Sequence, residues 1–166
     1  MEKITAQKLK KYINRLKKVD MVHKEIFGEN KNLVTPVLIS QGIVKRLLKL
    51  NDYKDGTEFD ALKDGKTYEI KATSSDEGTT TINLKSKPDI LVWIYIDYNN
   101  SKIIIKKKSN FGKIDTSQEL FNEEAFKRQK VDIYKEALRD RVTIILKNIK
   151  WDDVSLTFDL NTLTPL

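Results

Sequence analysis

The chain has 166 residues, with 31 Lys and Arg against 24 Asp and Glu, a formal charge of +7 and a pI near 9.4. It has no cysteine and a single histidine, His23, which excludes a disulfide framework, a thiolate nucleophile, a Cys-containing zinc site and a zinc site of two histidines, and leaves a Ser-His-Asp triad only that one imidazole. The length suffices for one domain with its own core, and the positive surplus suits a polyanionic partner, whether DNA, RNA or a membrane surface.

Residues 5–18 place Leu9, Tyr12, Ile13 and Leu16 at helical spacing. Lys8, Lys10, Lys11, Lys17 and Lys18 cover the opposite face, as a track for a phosphate backbone or simply as a solvated surface. Residues 20–27 continue this helix or form a second short one ended by Gly28, with His23 expected at the surface or a helix end. Residues 33–50 read as a helix entered at Thr35-Pro36, threonine as cap and proline at the first helical position. Val37, Leu38, Ile43, Val44, Leu47 and Leu48 form its apolar stripe; Gln41 sits near its middle, and it holds no acid.

Glu58-Phe59-Asp60-Ala61 comes next, then the turn Lys63-Asp64-Gly65-Lys66, then Tyr68-Glu69-Ile70-Lys71. This pattern predicts a hairpin. Glu69 and Lys71 are two apart and leave one face of a strand, and the hairpin returns Asp60 beside them. Two carboxylates and one ammonium at a strand end are what metal-assisted phosphodiester hydrolysis requires: the acids hold a hard cation, and the lysine orients water or steadies the anionic transition state. Alternating Glu and Lys also mark the solvated face of an edge strand.

Thr79–Lys85 alternates as a strand. Asp89–Asp97 (DILVWIYID) is a continuous apolar run, the signature of a central strand covered on both faces. Lys102–Lys108 pairs with it through a turn at Asn99-Asn100. Its Lys106-Lys107-Lys108 cluster is a phosphate contact or a guard against edge-to-edge pairing. Residues 117–141 read as one long helix carrying Leu120, Phe121, Phe126, Ile133, Tyr134 and Leu138, followed by strands over 141–147 and 154–160. Trp93 is expected in the core, and Trp151 in the core or at a dimer contact. No apolar run reaches the roughly eighteen residues a bilayer span needs, and the basic start lacks the apolar centre of a signal peptide, so a cytoplasmic location is expected.

The segment FDALKDGKTYEIKATS resembles the PD-(D/E)xK nuclease superfamily, in which an acid, a spacer of roughly ten residues and acid-x-Lys form the motif. Within it, the Asp-Ala step, polar turn and Tyr-Glu-hydrophobic-Lys are most similar to small type II restriction endonucleases. The motif covers about fifteen residues, with a looser match in element order over residues 35–110; no proline precedes Asp60. The resemblance implies an α/β (α+β) fold with a restriction-endonuclease-like core, a central mixed β-sheet flanked by helices. It implies one nuclease domain, with helices over about 1–50 and the catalytic sheet over about 51–166.

The resemblance further implies Mg²⁺-dependent cleavage of double-stranded DNA at a short palindrome by a homodimer. Asp60, Glu69 and the backbone carbonyl of Ile70 would hold the metal, with Lys71 beside the attacking water. Glu58 and Gln41 are further candidates. The superfamily often adds an acid from the preceding helix, a place that Glu25 or Glu29 could fill only from upstream. From the loop after Lys71, residues 72–87, Thr80, Asn83, Lys85 and Lys87 are candidates for DNA contact, or parts of a polar surface loop. Two other readings stand beside this one: a structure-selective nuclease such as a Holliday-junction resolvase or repair enzyme, and a non-catalytic basic nucleic-acid-binding protein. Each protomer carries one motif, so cutting both strands calls for a two-fold pair, for which Leu9, Tyr12, Ile13 and Leu16 offer an interface.

Overall fold

The computed structural model describes residues 5–28, 33, 35–53, 59–75, 78–83, 86–113, 141–146, 149–152 and 155–166. Helix α1 spans Ala6–Phe27 without a break, so residues 20–27 continue it. The Thr5 hydroxyl accepts from the Lys8 N–H at 3.2 Å, and Gly28, at φ 103°, ends the helix by donating back to the Lys24 carbonyl. Glycine alone takes that φ without strain. His23 lies near this end, its ring 4.8 Å from that of Phe27.

Helix α2 spans Val37–Leu47, shorter than the expected 33–50. Its start corrects the reading of Thr35 as a cap. The Thr35 hydroxyl lies 2.9 Å from the Tyr98 hydroxyl, and Pro36 occupies the cap position, its carbonyl accepting from the N–H groups of Ile39 and Ser40. The inward face keeps Ile43 and Val44 of the expected stripe, with Leu47 and Leu48 packed against the core, but begins differently. Ile39, Ser40, Ile43 and Val44 are buried, whereas Val37 and Leu38 are each 64% exposed.

Strands β1 (Asn51–Asp52), β2 (Ala61–Lys63), β3 (Lys66–Thr73), β5 (Ile90–Asp97), β6 (Lys102–Ser109) and β8 (Leu156–Asp159) form one mixed sheet in the order β1-β2-β3-β5-β6-β8. All its pairings are antiparallel except β3 with β5. Strands β4 (Thr79–Asn83) and β7 (Arg141–Ile145) pair separately as a two-stranded sheet. The β2–β3 turn puts Asp64 at φ 51° and Gly65 at φ 74°, the positive pair that a tight two-residue hairpin turn requires. The parallel register is clipped at its start. Asp89 Oδ2 accepts from the Thr67 N–H (2.9 Å) and hydroxyl (3.0 Å), and the Asp89 N–H donates to Thr67 Oγ1.

Strand β5 is covered on both faces, as its apolar run predicts. On one side Val92, Ile94 and Ile96 join Tyr68, Ile70, Ile103 and Ile105 in a core completed by Leu9 and Ile13 of α1 and Ile39, Ile43 and Val44 of α2. Each such side chain contributes about 1.5–3 kcal/mol when fully buried. On the other side lie Leu91 and Trp93. An ion pair within α1, Lys24–Asp20 at 2.7 Å, is buried because its remaining valences are met: Lys24 also donates to Asn99, and Asp20 accepts from the Leu33 N–H. Among the described residues the architecture is thus broadly α+β, a mixed sheet with two helices, and no helix is long and apolar enough to cross a membrane. Residues 117–140 of the expected helix lie outside the described residues, and its last residue, Arg141, begins β7.

Candidate active site

The hairpin does what its spacing predicts. Ala61 pairs with Tyr68, which sets Asp60 at the mouth of the hairpin, across from Glu69. Strands β2 and β3 diverge there, and the Asp60 side chain fills the gap in the ladder: Oδ2 accepts from the Ile70 N–H at 2.7 Å, while the Asp60 N–H donates to the Tyr68 carbonyl. From α2, Gln41 Nε2 donates to Asp60 Oδ1 at 2.6 Å. The carboxylate is therefore oriented from two elements at once.

On β3, Tyr68 and Ile70 point into the core, so Glu69 and Lys71 face the other way. Lys71 Nζ lies 2.5 Å from Glu69 Oε1, both side chains about four-fifths shielded. Burial pushes the Glu69 carboxyl above the ordinary value of 4.5; the hydrogen bond and charge of Lys71 pull it down, and the negative charge of Asp60 raises it again. Asp60 thus adds negative charge beside Glu69 at the hairpin mouth, and one ammonium does not fully offset the burial of Glu69. A cation is the species such a pair favours.

Among the described residues no group of three or more His, Cys, Asp or Glu forms a metal-holding cluster; Asp60 and Glu69 are two. Two carboxylates fit Mg²⁺ nonetheless, because that ion keeps several waters and is commonly held by one or two carboxylates together with substrate phosphates. Both Asp60 oxygens and Glu69 Oε1 keep a lone pair beyond the contact each already makes. The backbone carbonyl of Ile70 lies on the same strand between Glu69 and Lys71.

The same face of the sheet continues past Lys71. Thr73 Oγ1 accepts from Trp93 Nε1 at 2.7 Å and donates to the Ser75 carbonyl at 2.6 Å. Trp151 stacks on Trp93 with centroids 6.0 Å apart, and its Nε1 donates to the Leu146 carbonyl, so Trp151 packs within the protomer. Gly78 abuts this turn: a Cβ there would lie 2.5 Å from Thr73 Cβ.

Other sequence candidates fall elsewhere. Thr80 and Asn83 lie on β4, in register with Ile144 and Arg141 of β7, outside the sheet that carries the acids. Lys87 is exposed on the way into β5, and Glu25 is exposed on α1. Glu58, Glu29 and Lys85 lie outside the described residues. The Gln41 contact to Asp60 was not readable from sequence, where only the position of Gln41 on an acid-free helix hinted at it.

No protein-family model, curated protein or solved structure matches the chain.

Proposed function

We propose that the chain is a divalent-metal-dependent DNA endonuclease, a type II restriction enzyme cutting both strands of a short palindromic site as a homodimer. The observation that carries this reading is the meeting of Asp60, Glu69 and Lys71 where β2 and β3 part, with Gln41 and the Ile70 N–H holding the Asp60 carboxylate. The basic surplus of the chain supports the same reading, since phosphate neutralisation drives association with DNA.

Asp60, Glu69 and the Ile70 carbonyl would hold Mg²⁺, which supplies Lewis-acid polarisation of the phosphate and lowers the pKa of water. The chain's own groups do the rest. Gln41 and the Ile70 N–H fix the Asp60 rotamer, so the acid needs no reordering when substrate arrives. Lys71 sits against Glu69 and offers its remaining donors to the water or to the phosphate oxygens, where charge builds as the phosphorus–oxygen bond breaks.

Plasmid DNA incubated with Mg²⁺ or with chelator tests the reading. Discrete bands that require Mg²⁺ are the expected result. Cutting confined to branched DNA replaces it with a structure-selective nuclease, and intact DNA under both conditions with a non-catalytic binder.

A further inference from the structure

Lys106, Lys107 and Lys108 are consecutive, but strand alternation sends them to opposite faces of the sheet. The register says which goes where. Lys71 of β3 pairs with Trp93 of β5, and Trp93 pairs with Lys106 of β6. One step over, Glu69 pairs with Leu91, and Leu91 with Lys108. Lys106 and Lys108 therefore share the face of Glu69 and Lys71. Lys107 instead pairs with Val92, which pairs with Ile70, and so belongs to the helix-covered face.

From the candidate active site and across β5, we infer that Lys106 and Lys108 are a binding site for the phosphate backbone of duplex DNA. They would grip the strand beside the phosphate that is cut. The inference rests on the nuclease reading for its choice of ligand. Two strand steps separate Lys71 from Lys106, about 10 Å, and two residues along β6 separate Lys106 from Lys108, about 7 Å. The three lysine positions thus span a stretch of backbone rather than a single anion. The face between them is filled and fixed: Leu91 is fully buried, and Trp93, nearly so, carries Trp151 stacked on its ring, while Lys71, Lys106 and Lys108 stay partly exposed. The Lys106 ammonium rests 5.3 Å from the Trp93 ring centroid. A cation lying on a ring face keeps its outward donors for a phosphate, and its stem is pre-ordered, which reduces the entropy lost on binding. Lys107 carries the same charge at the same place in sequence and lacks this placement, so it is a built-in control.

The test is fluorescence anisotropy of a 30-bp random-sequence duplex in EDTA, titrated across a salt series, with Lys106→Gln, Lys108→Gln and Lys107→Gln. All three variants lower the net charge by one. Lys106→Gln and Lys108→Gln are expected to weaken binding severalfold and to reduce the slope of log affinity against log salt by about 0.9 each, while Lys107→Gln leaves the slope unchanged. Lys106→Arg and Lys108→Arg should restore both quantities, which separates a phosphate contact from a folding defect. Equal losses in all three glutamine variants would reduce the effect to net charge and overturn the site; so would wild-type binding by Lys106→Gln and Lys108→Gln, or no binding by the wild-type chain. Plasmid cleavage run in parallel keeps the two readings apart. Mg²⁺-dependent cutting with no Lys106 or Lys108 effect removes only this site, and the predicted binding pattern without any cutting removes only the nuclease.

Discussion

Gln41 and Asp60 meet across the junction of α2 and the β2–β3 hairpin, the Gln41 amide donating to Asp60 Oδ1 at 2.6 Å. An amide suits that place. It orients the carboxylate without adding a third negative charge to a pair in which burial and the Asp60 charge already raise the Glu69 pKa. Partners that orient a metal ligand typically matter by about 10–100-fold. Gln41→Ala should lower the single-turnover cleavage rate by that order while leaving the fold intact. An unchanged rate would show that Asp60 needs no help from α2.

Alanine at Asp60 or Glu69 should reduce cleavage by several orders of magnitude, because losing a proposed metal ligand takes away polarisation and water positioning together, and alanine at Lys71 should do so by removing the ammonium beside the water and phosphate. Circular dichroism should show native secondary structure in each variant. Normal cutting by Asp60→Ala would remove that residue from the site.

The raised carboxyl of Glu69 links function to pH and stability. In the unfolded chain Glu69 loses its proton near the ordinary 4.5; in the folded protein, burial makes it hold the proton longer. Between those two values the native state binds more protons than the unfolded one, so stability falls as pH rises through that window, and ionised Glu69 burdens the fold at neutral pH. Glu69→Gln, without metal at pH 7, should therefore melt at a higher temperature than the wild type, although it should not cut. Cleavage by the wild type should decline on the acid side from a pH above that of an ordinary glutamate. A lower melting temperature for Glu69→Gln would mean that the Lys71 ion pair outweighs the burial.

Ca²⁺ tolerates looser coordination than Mg²⁺. With Ca²⁺ in place of Mg²⁺, the protein should bind its target tightly and leave it uncut, with affinity falling steeply as salt rises. Salt-independent binding in a titration would argue against a phosphate-tracking surface.

Assembly is expected through α1, but of the residues its sequence first suggests only Tyr12 stays largely exposed. Leu9 and Ile13 are buried in the protomer's own core and are unavailable to a partner. Tyr12, Val19, Val22 and Ile26 are 49–66% exposed and recur at seven-residue and three-to-four-residue steps along the helix. Val22→Lys should convert a homodimer to a monomer in light scattering without lowering the melting temperature. A wild-type monomer both alone and on DNA would remove the palindrome and leave a nicking or single-strand nuclease.

Legibility in the sequence followed the range of the interactions. The hairpin at Asp64-Gly65 and the doubly covered strand Ile90–Asp97 are local patterns, and both are present. The parallel pairing of β3 with β5 hangs on Thr67 and Asp89, 22 residues apart, which no local rule connects. Thr35 looked like a cap because threonine before proline often is one, but its hydroxyl is taken by Tyr98, 63 residues away. The expected stripe holds at Ile43 and Val44, but at the start of α2 its approach to the sheet buries Ile39 and leaves Val37 and Leu38 exposed. At the site, the Asp60–Glu69–Lys71 spacing was visible, whereas the division of Lys106 and Lys108 from Lys107 needed the register.

That same parallel pairing sets an order of events during folding. The β5–β6 hairpin closes across a short turn and can form early, whereas β3 joins β5 only after a much longer loop closes. The strand bearing Glu69 and Lys71 is then among the later pieces to dock. Until it does, one edge of the apolar run ILVWIYID stands unpaired, a stretch prone to intermolecular pairing. Pulsed hydrogen exchange should find the amides of β5 and β6 protected before those of β3; simultaneous protection would mean that the sheet condenses in one step.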